Sequence, residues 1–80
     1  MSNRKDLENK SYRVGWIIWF ILKNGSITKK DYMYEFDIIE KTVFRDIKEA
    51  RDILEDFYGK TIRYDVLKRK YILEELENKS

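Results

Sequence analysis

Hydrophobic positions recur at helical spacing over three stretches of the chain and alternate over a fourth. Over residues 12–23 the apolar positions are too dense for a single face. Val14, Ile17, Ile18, Ile21 and Leu22 make one sector of a helical wheel, and Tyr12, Trp16, Trp19 and Phe20 make the opposite one. Asn24-Gly25-Ser26 ends this first helix, with Gly25 suited to the left-handed conformation that follows a helix. Ile27 is a single apolar residue in the short link. Thr28 with Asp31 three residues on resembles a capping box, with Asp in place of the usual Glu or Gln. It predicts a second helix over residues 29–36 that presents Tyr32, Met33 and Phe36 to the core. Asp37-Ile38-Ile39 reads as a turn. The third and longest helix is expected over residues 40–58, with Val43, Ile47, Ala50, Leu54 and Phe57 in one sector. Gly59-Lys60 breaks it. Thr61-Ile62-Arg63-Tyr64-Asp65 alternates and is rich in β-formers, residues 66–70 form a tip, and Tyr71-Ile72-Leu73 returns as a second strand.

These elements make one domain of 80 residues, with residues 1–10 as a polar N-terminal extension and residues 74–80 as a polar tail that could form a short helix. The expected class is mainly α with a small β-hairpin. Three helices followed by a basic hairpin is the order of a winged helix-turn-helix. That fold sets one helix in the DNA major groove and the hairpin against the backbone.

Composition narrows the chemistry. A hydrophobic content of 42% is near the globular norm, which argues against disorder. The chain has no Cys and no His, so disulfides, Cys/His zinc sites, thiol nucleophiles and imidazole acid–base catalysis are excluded. The three glycines form no phosphate loop, and the carboxylates are scattered at helix-surface spacing. The expectation is a binding module rather than an enzyme, with no cofactor and no metal. The longest apolar run, residues 16–22, is far short of the roughly twenty residues that a bilayer requires, and the charged N-terminus lacks a signal-peptide core. A cytoplasmic protein is expected.

The net charge of +2 is unevenly placed. Residues 1–30 are net +5, residues 31–58 net −5, residues 59–70 net +4 and residues 71–80 net −2. A DNA-binding surface needs a basic face to displace counterions, and only parts of this chain supply one. On the third helix Lys41, Phe44, Arg45, Lys48, Asp52 and Glu55 lie opposite the apolar sector, basic in the first two turns and acidic in the last two. Two readings stand side by side. The face enters a groove with its early turns, or it is a solvated surface laced with pairs such as Lys48/Asp52 and Arg51/Glu55. The hairpin likewise reads as a phosphate clamp through Arg63, Lys68, Arg69 and Lys70, or as an edge hairpin that lysines protect from aggregation. Beside a helix-turn-helix the clamp is favoured.

At this level of detail residues 12–73 resemble the N-terminal winged-helix domain of DeoR-type and WYL-domain bacterial transcriptional regulators. The likeness is carried by Ile27-Thr28-Lys29-Lys30-Asp31, Phe36-Asp37-Ile38, Lys41-Thr42-Val43-Phe44-Arg45-Asp46-Ile47-Lys48, Ile62-Arg63-Tyr64-Asp65 and Lys70-Tyr71-Ile72-Leu73. The resemblance implies that Lys41, Thr42 and Arg45 meet phosphates or base edges. Phe44 would take the groove position often held by Tyr or Gln, with Thr28, Lys29 and Lys30 at the backbone. The chain departs from the pattern at Ile39, where the family usually has a small polar cap such as Ser, and at Ala50, where Leu is usual. No ligand-sensing domain follows, so a stand-alone regulator of a phage, mobile element or bacterium is expected.

The double-sided first helix lies outside that pattern. Either residues 1–10 or the tail cover its second side, through Leu7 or Leu76, or the strip Tyr12, Trp16, Trp19 and Phe20 is an association surface. The simplest partner is a second copy, which would present two recognition helices to a palindromic site. The expected function is a dimeric, sequence-specific double-stranded DNA-binding repressor or autoregulator. The alternative is a protein-binding winged helix, such as a phage-encoded inhibitor of a host defence or transcription component.

Overall fold

The computed structural model describes residues 9–76. Helix α1 (Lys10–Asn24) leads into the two-residue strand β1 (Ser26–Ile27) and helix α2 (Lys29–Glu35). The long helix α3 (Glu40–Phe57) follows, and strands β2 (Lys60–Asp65) and β3 (Lys70–Glu75) close the chain. Three helices thus pack with a three-stranded antiparallel sheet of order β1-β3-β2.

Local signals account for the helix boundaries. The Asn9 side chain accepts hydrogen bonds from the backbone N–H groups of Ser11 and Tyr12 and starts α1. Gly25 stops it at φ 85°, donating its N–H to the Ile21 carbonyl. The predicted capping box is present at α2. The Thr28 hydroxyl accepts from the Asp31 N–H at 2.9 Å, and the Asp31 carboxylate accepts from the Thr28 N–H at 3.1 Å. At α3 the cap residue is Ile39, whose side chain makes no capping bond. Gly59, at φ 66°, turns the chain from α3 into β2.

Buried side chains from each of the three helices meet over the sheet. Val14, Ile17 and Ile21 of α1, Tyr32 of α2, Phe36, and Val43, Ile47, Ala50 and Leu54 of α3 form the core with Ile27 and Ile62. Ile27 is therefore not merely a link residue. It pairs with Tyr71, and Ser26 with Ile72, so β3 is the central strand of a sheet rather than the return arm of a two-stranded hairpin. Two residues are too few to show alternation, and their partners lie 44 residues or more downstream. Glu74 and Glu75 extend β3, opposite Thr61 and Lys60, where a polar tail was expected. Residues 1–8, including Leu7, and residues 77–80 lie outside the described residues.

Two expected core residues are exposed. Met33 retains 37% of its accessible surface and Phe57 retains 79%. Helix α2 spans only seven residues and turns Tyr32, not Met33, inward. Phe57 sits in the last turn of α3, beyond Leu54, the last α3 side chain in the core. Leu22, on the apolar sector of α1, is also exposed.

Candidate nucleic-acid interface

The first turns of α3 carry the candidate face. Lys41, Phe44, Arg45 and Lys48 are all exposed and, at spacings of three and four, share one side of the helix. Thr42 is half-buried, with its N–H bonded to the Ile39 carbonyl at 3.0 Å. Among the described residues, Lys41 and Arg45 make no salt bridge. Lys48 approaches Asp52 at 3.9 Å, and Arg51 approaches Glu55 at 4.0 Å, as the i,i+4 spacing anticipates. The same stripe therefore runs from unpaired cations to paired and acidic groups along the helix.

Asp46, the residue after Arg45, behaves in the opposite way. It is buried, and its Oδ2 accepts from both Arg13 Nε at 2.8 Å and the Tyr32 hydroxyl at 2.6 Å. One carboxylate thus ties α1, α2 and α3 together. The hydrogen bond to Asp46 raises the Arg13 pKa, and burial followed by the same carboxylate drives the Tyr32 pKa far above its ordinary value. No buried side-chain nitrogen or oxygen among the described residues is left without a partner. Sequence reasoning assigned Asp46 no role. An acidic residue beside the apolar stripe of a helix usually faces water, and only the arrival of Arg13 and Tyr32 makes its burial tolerable.

The start of α2, the start of α3 and the β2–β3 hairpin enclose an open groove of about 760 Å³. Thr28, Lys29 and Lys30 line one side, Glu40 and Phe44 the second, and Tyr64, Arg69 and Tyr71 the third. Five of the expected contact residues are gathered here: Thr28, Lys29, Lys30, Phe44 and Arg69. Lys41, Thr42, Arg45, Lys48, Arg63, Lys68 and Lys70 do not line it. Phe44 belongs both to the α3 stripe and to the groove.

Charge in the groove is partly committed. Lys29 Nζ donates to Glu40 Oε2 at 2.5 Å and stands 6.0 Å from the Phe44 ring centroid. The Thr28 hydroxyl oxygen caps α2, which leaves its proton to donate outward. Arg63 already has a partner on the neighbouring strand. Its Nε donates to Glu74 at 2.6 Å across the strands, which also raises its pKa. Among the described residues, Lys30, Lys68, Arg69 and Lys70 make no salt bridge. Tyr64 and Tyr71 pair directly across the hairpin with ring centroids 4.8 Å apart. Burial, then Tyr64 and Glu40, raise the Tyr71 pKa. Neither tyrosine was singled out from sequence, although facing aromatics at paired positions of a predicted hairpin are a usable signal.

The aromatic strip of α1 is covered in part, by Tyr32 of α2 and by Phe36 just after it. Trp16 stacks on Phe20 at 4.8 Å and on Tyr32 at 5.9 Å and meets Phe36 edge-on at 5.5 Å. Trp16 and Phe20 are thus part of the core margin, contrary to the expectation of a free second face. Trp19, 53% exposed with Lys23 Nζ 5.1 Å from its ring centroid, and Tyr12 are what remains open.

Among the described residues, no helix is long and apolar enough to cross a membrane, and no group of three or more acidic side chains could hold a metal ion. Comparison with protein-family models, with curated proteins and with solved structures finds no match for the chain.

Proposed function

We propose that this chain is a winged helix-turn-helix that binds double-stranded DNA sequence-specifically and regulates transcription as a dimeric repressor or autoregulator. In this reading α2 and α3 form the helix-turn-helix, α3 is the recognition helix and β2–β3 is the wing. One observation carries it. The exposed stripe Lys41, Phe44, Arg45 and Lys48 occupies the first two turns of α3, and Phe44 joins that stripe to a groove holding Lys29, Lys30 and Arg69. The resemblance to DeoR-type and WYL-domain regulators supports the same assignment. The mechanism is occlusion of a promoter and involves no bond chemistry. The two-fold partner is a second copy of the chain, meeting through Trp19 and Tyr12 of α1.

Groups in the interface act in two ways. Arg45, unpaired and on the leading turns, reads a base edge. Lys30, Lys41, Lys68, Arg69 and Lys70 neutralise phosphates and set the salt dependence. Fluorescence anisotropy on a duplex from the gene's own upstream region and on a scrambled duplex tests this. Arg45→Ala is expected to cost about 1–3 kcal/mol on the specific duplex only. Lys68→Ala and Arg69→Ala are each expected to weaken both duplexes and flatten the salt slope by about one unit.

A second reading draws on the other end of α3. Asp52 and Asp56 are exposed there beside Phe57 and Tyr58, a surface that repels phosphate and suits a protein partner. It takes precedence if the protein binds no duplex at low salt while Arg45→Ala leaves capture of a protein partner intact and Phe57→Ser abolishes it.

A further inference from the structure

The tip of the β2–β3 hairpin carries an apolar pair that neither the core nor the phosphate-clamp role uses. Val66 is 73% exposed and Leu67 is 93% exposed, yet turns are normally built from Gly, Asn, Asp, Ser and Pro. The tip is nonetheless closed. The Asp65 carboxylate accepts the Lys68 N–H at 3.0 Å, and the Asp65 carbonyl accepts the Arg69 N–H at 2.7 Å. Arg69 completes the turn at φ 55°, in the left-handed region that glycine occupies without strain. The turn closed in this way sets Val66 and Leu67 at the apex, with Lys68, Arg69 and Lys70 directly behind. Ile62 and Leu73, paired at the other end of the hairpin, pack into the core. The apex therefore stands away from the body of the protein, while Arg69 still reaches the groove that Phe44 lines.

We infer that Val66 and Leu67 form an apolar wedge that enters the minor groove beside the site read by α3 and opens one base step, bending the duplex. This rests on the DNA-binding reading above. Apolar side chains inserted between base steps unstack them and kink the duplex, and the unstacking is offset only when other contacts already hold the DNA. Here those contacts are the α3 stripe and the three cations that follow the wedge. The minor groove, roughly 6 Å wide, is narrower than a two-stranded ribbon, so only the Val66 and Leu67 side chains at the apex enter it, as the base step opens. The same two residues are a poor fit to the other apolar partners. One Val and one Leu bury much less than a single acyl chain, which by itself anchors only marginally to a membrane. They also supply a small fraction of the roughly 1,200 Å² that a stable protein interface needs.

The test compares the unmodified protein, the Val66→Asn/Leu67→Asn double variant and Lys68→Ala on end-labelled duplexes. Energy transfer between the ends reads bending, and titrations at several salt concentrations read the phosphate contacts. The unmodified protein is expected to bend the duplex by roughly 20–90°. The double variant should bind about tenfold more weakly, without the bend and with the same salt slope. Lys68→Ala should keep the bend and lose slope. Circular dichroism confirms that the double variant is folded, since both substituted side chains point to solvent. Equal end-to-end distances for the unmodified and double-variant complexes overturn the wedge and leave the DNA reading standing. Absence of duplex binding by the unmodified protein removes both. Binding of the unmodified protein, but not the double variant, to vesicles of anionic lipid with no effect of the variant on DNA overturns the wedge in favour of a lipid surface.

Discussion

Arg13→Met probes the buried clasp that joins α1, α2 and α3. In the native protein Asp46 is 1% exposed and accepts two donors, from Arg13 and Tyr32. Methionine retains most of the packing of the arginine stem but removes the cation, leaving a buried carboxylate with a single neutral donor. Breaking a buried ion pair from one side costs about 3–5 kcal/mol. The Tyr32 hydroxyl remains, so the lower end, about 3 kcal/mol, is expected. An 80-residue domain has roughly 4–12 kcal/mol of total stability, so the loss is a large fraction of it. At about 4–8 °C per kcal/mol for a domain of this size, the thermal midpoint should fall by roughly 12–24 °C. Urea unfolding followed by circular dichroism measures the difference. The triple variant Arg13→Met/Asp46→Leu/Tyr32→Phe removes cation, anion and hydroxyl together and should recover most of the loss, because the buried carboxylate goes with its two donors. Arg45→Ala, one residue from Asp46, is the control. Arg45 is exposed and makes no salt bridge among the described residues, so its removal should change stability by at most about 0.5 kcal/mol. The reasoning is refuted if Arg13→Met costs less than about 1 kcal/mol, or if the triple variant is no more stable than the single one.

Other outcomes follow from the same geometry. Tyr32 is held protonated in the fold by burial and by Asp46, so folding retains a proton that the unfolded chain releases above pH ~10. Stability should therefore fall as pH rises past about 10, and the stability advantage of the native protein over Tyr32→Phe, measured by urea titration, should shrink over that range. Ile39 is 66% exposed and adopts N-cap geometry without a capping bond, so Ile39→Ser should stabilise the protein by about 0.5–2 kcal/mol in the same assay. Trp19→Ser should shift a dimer to a folded monomer in sedimentation equilibrium, whereas Trp16→Ser should lower the unfolding midpoint because Trp16 packs on Tyr32 and Phe36. An unmodified protein that sediments as a monomer at high micromolar concentration counts against association through α1.

The sequence by itself determined the three helices and several of their ends, though not the start of α1 on its Asn9 cap. Apolar spacing of three and four, the Thr28–Asp31 capping box and the left-handed glycines at positions 25 and 59 are signals spanning a few residues, and each is satisfied by its neighbours alone. It also placed Lys41, Phe44, Arg45 and Lys48 on one exposed side of α3, because helical geometry alone sets that side. What the tertiary structure decided is everything that depends on a partner far along the chain. Ser26 and Ile27 become a strand only because the edge of β3 arrives beside them. Asp46 is a core residue only because Arg13 and Tyr32 satisfy it, and Arg63 is paired only because Glu74, two residues along β3 from its cross-strand neighbour Ile72, reaches it. Whether the aromatic side of α1 is open or covered was undecided until Tyr32 of α2 and Phe36 packed against Trp16 and left Trp19 and Tyr12 exposed. Periodicity marks which residues can share a face. Whether that face is covered, and whether a charge on it is paired, depends on contacts between segments that no local pattern encodes.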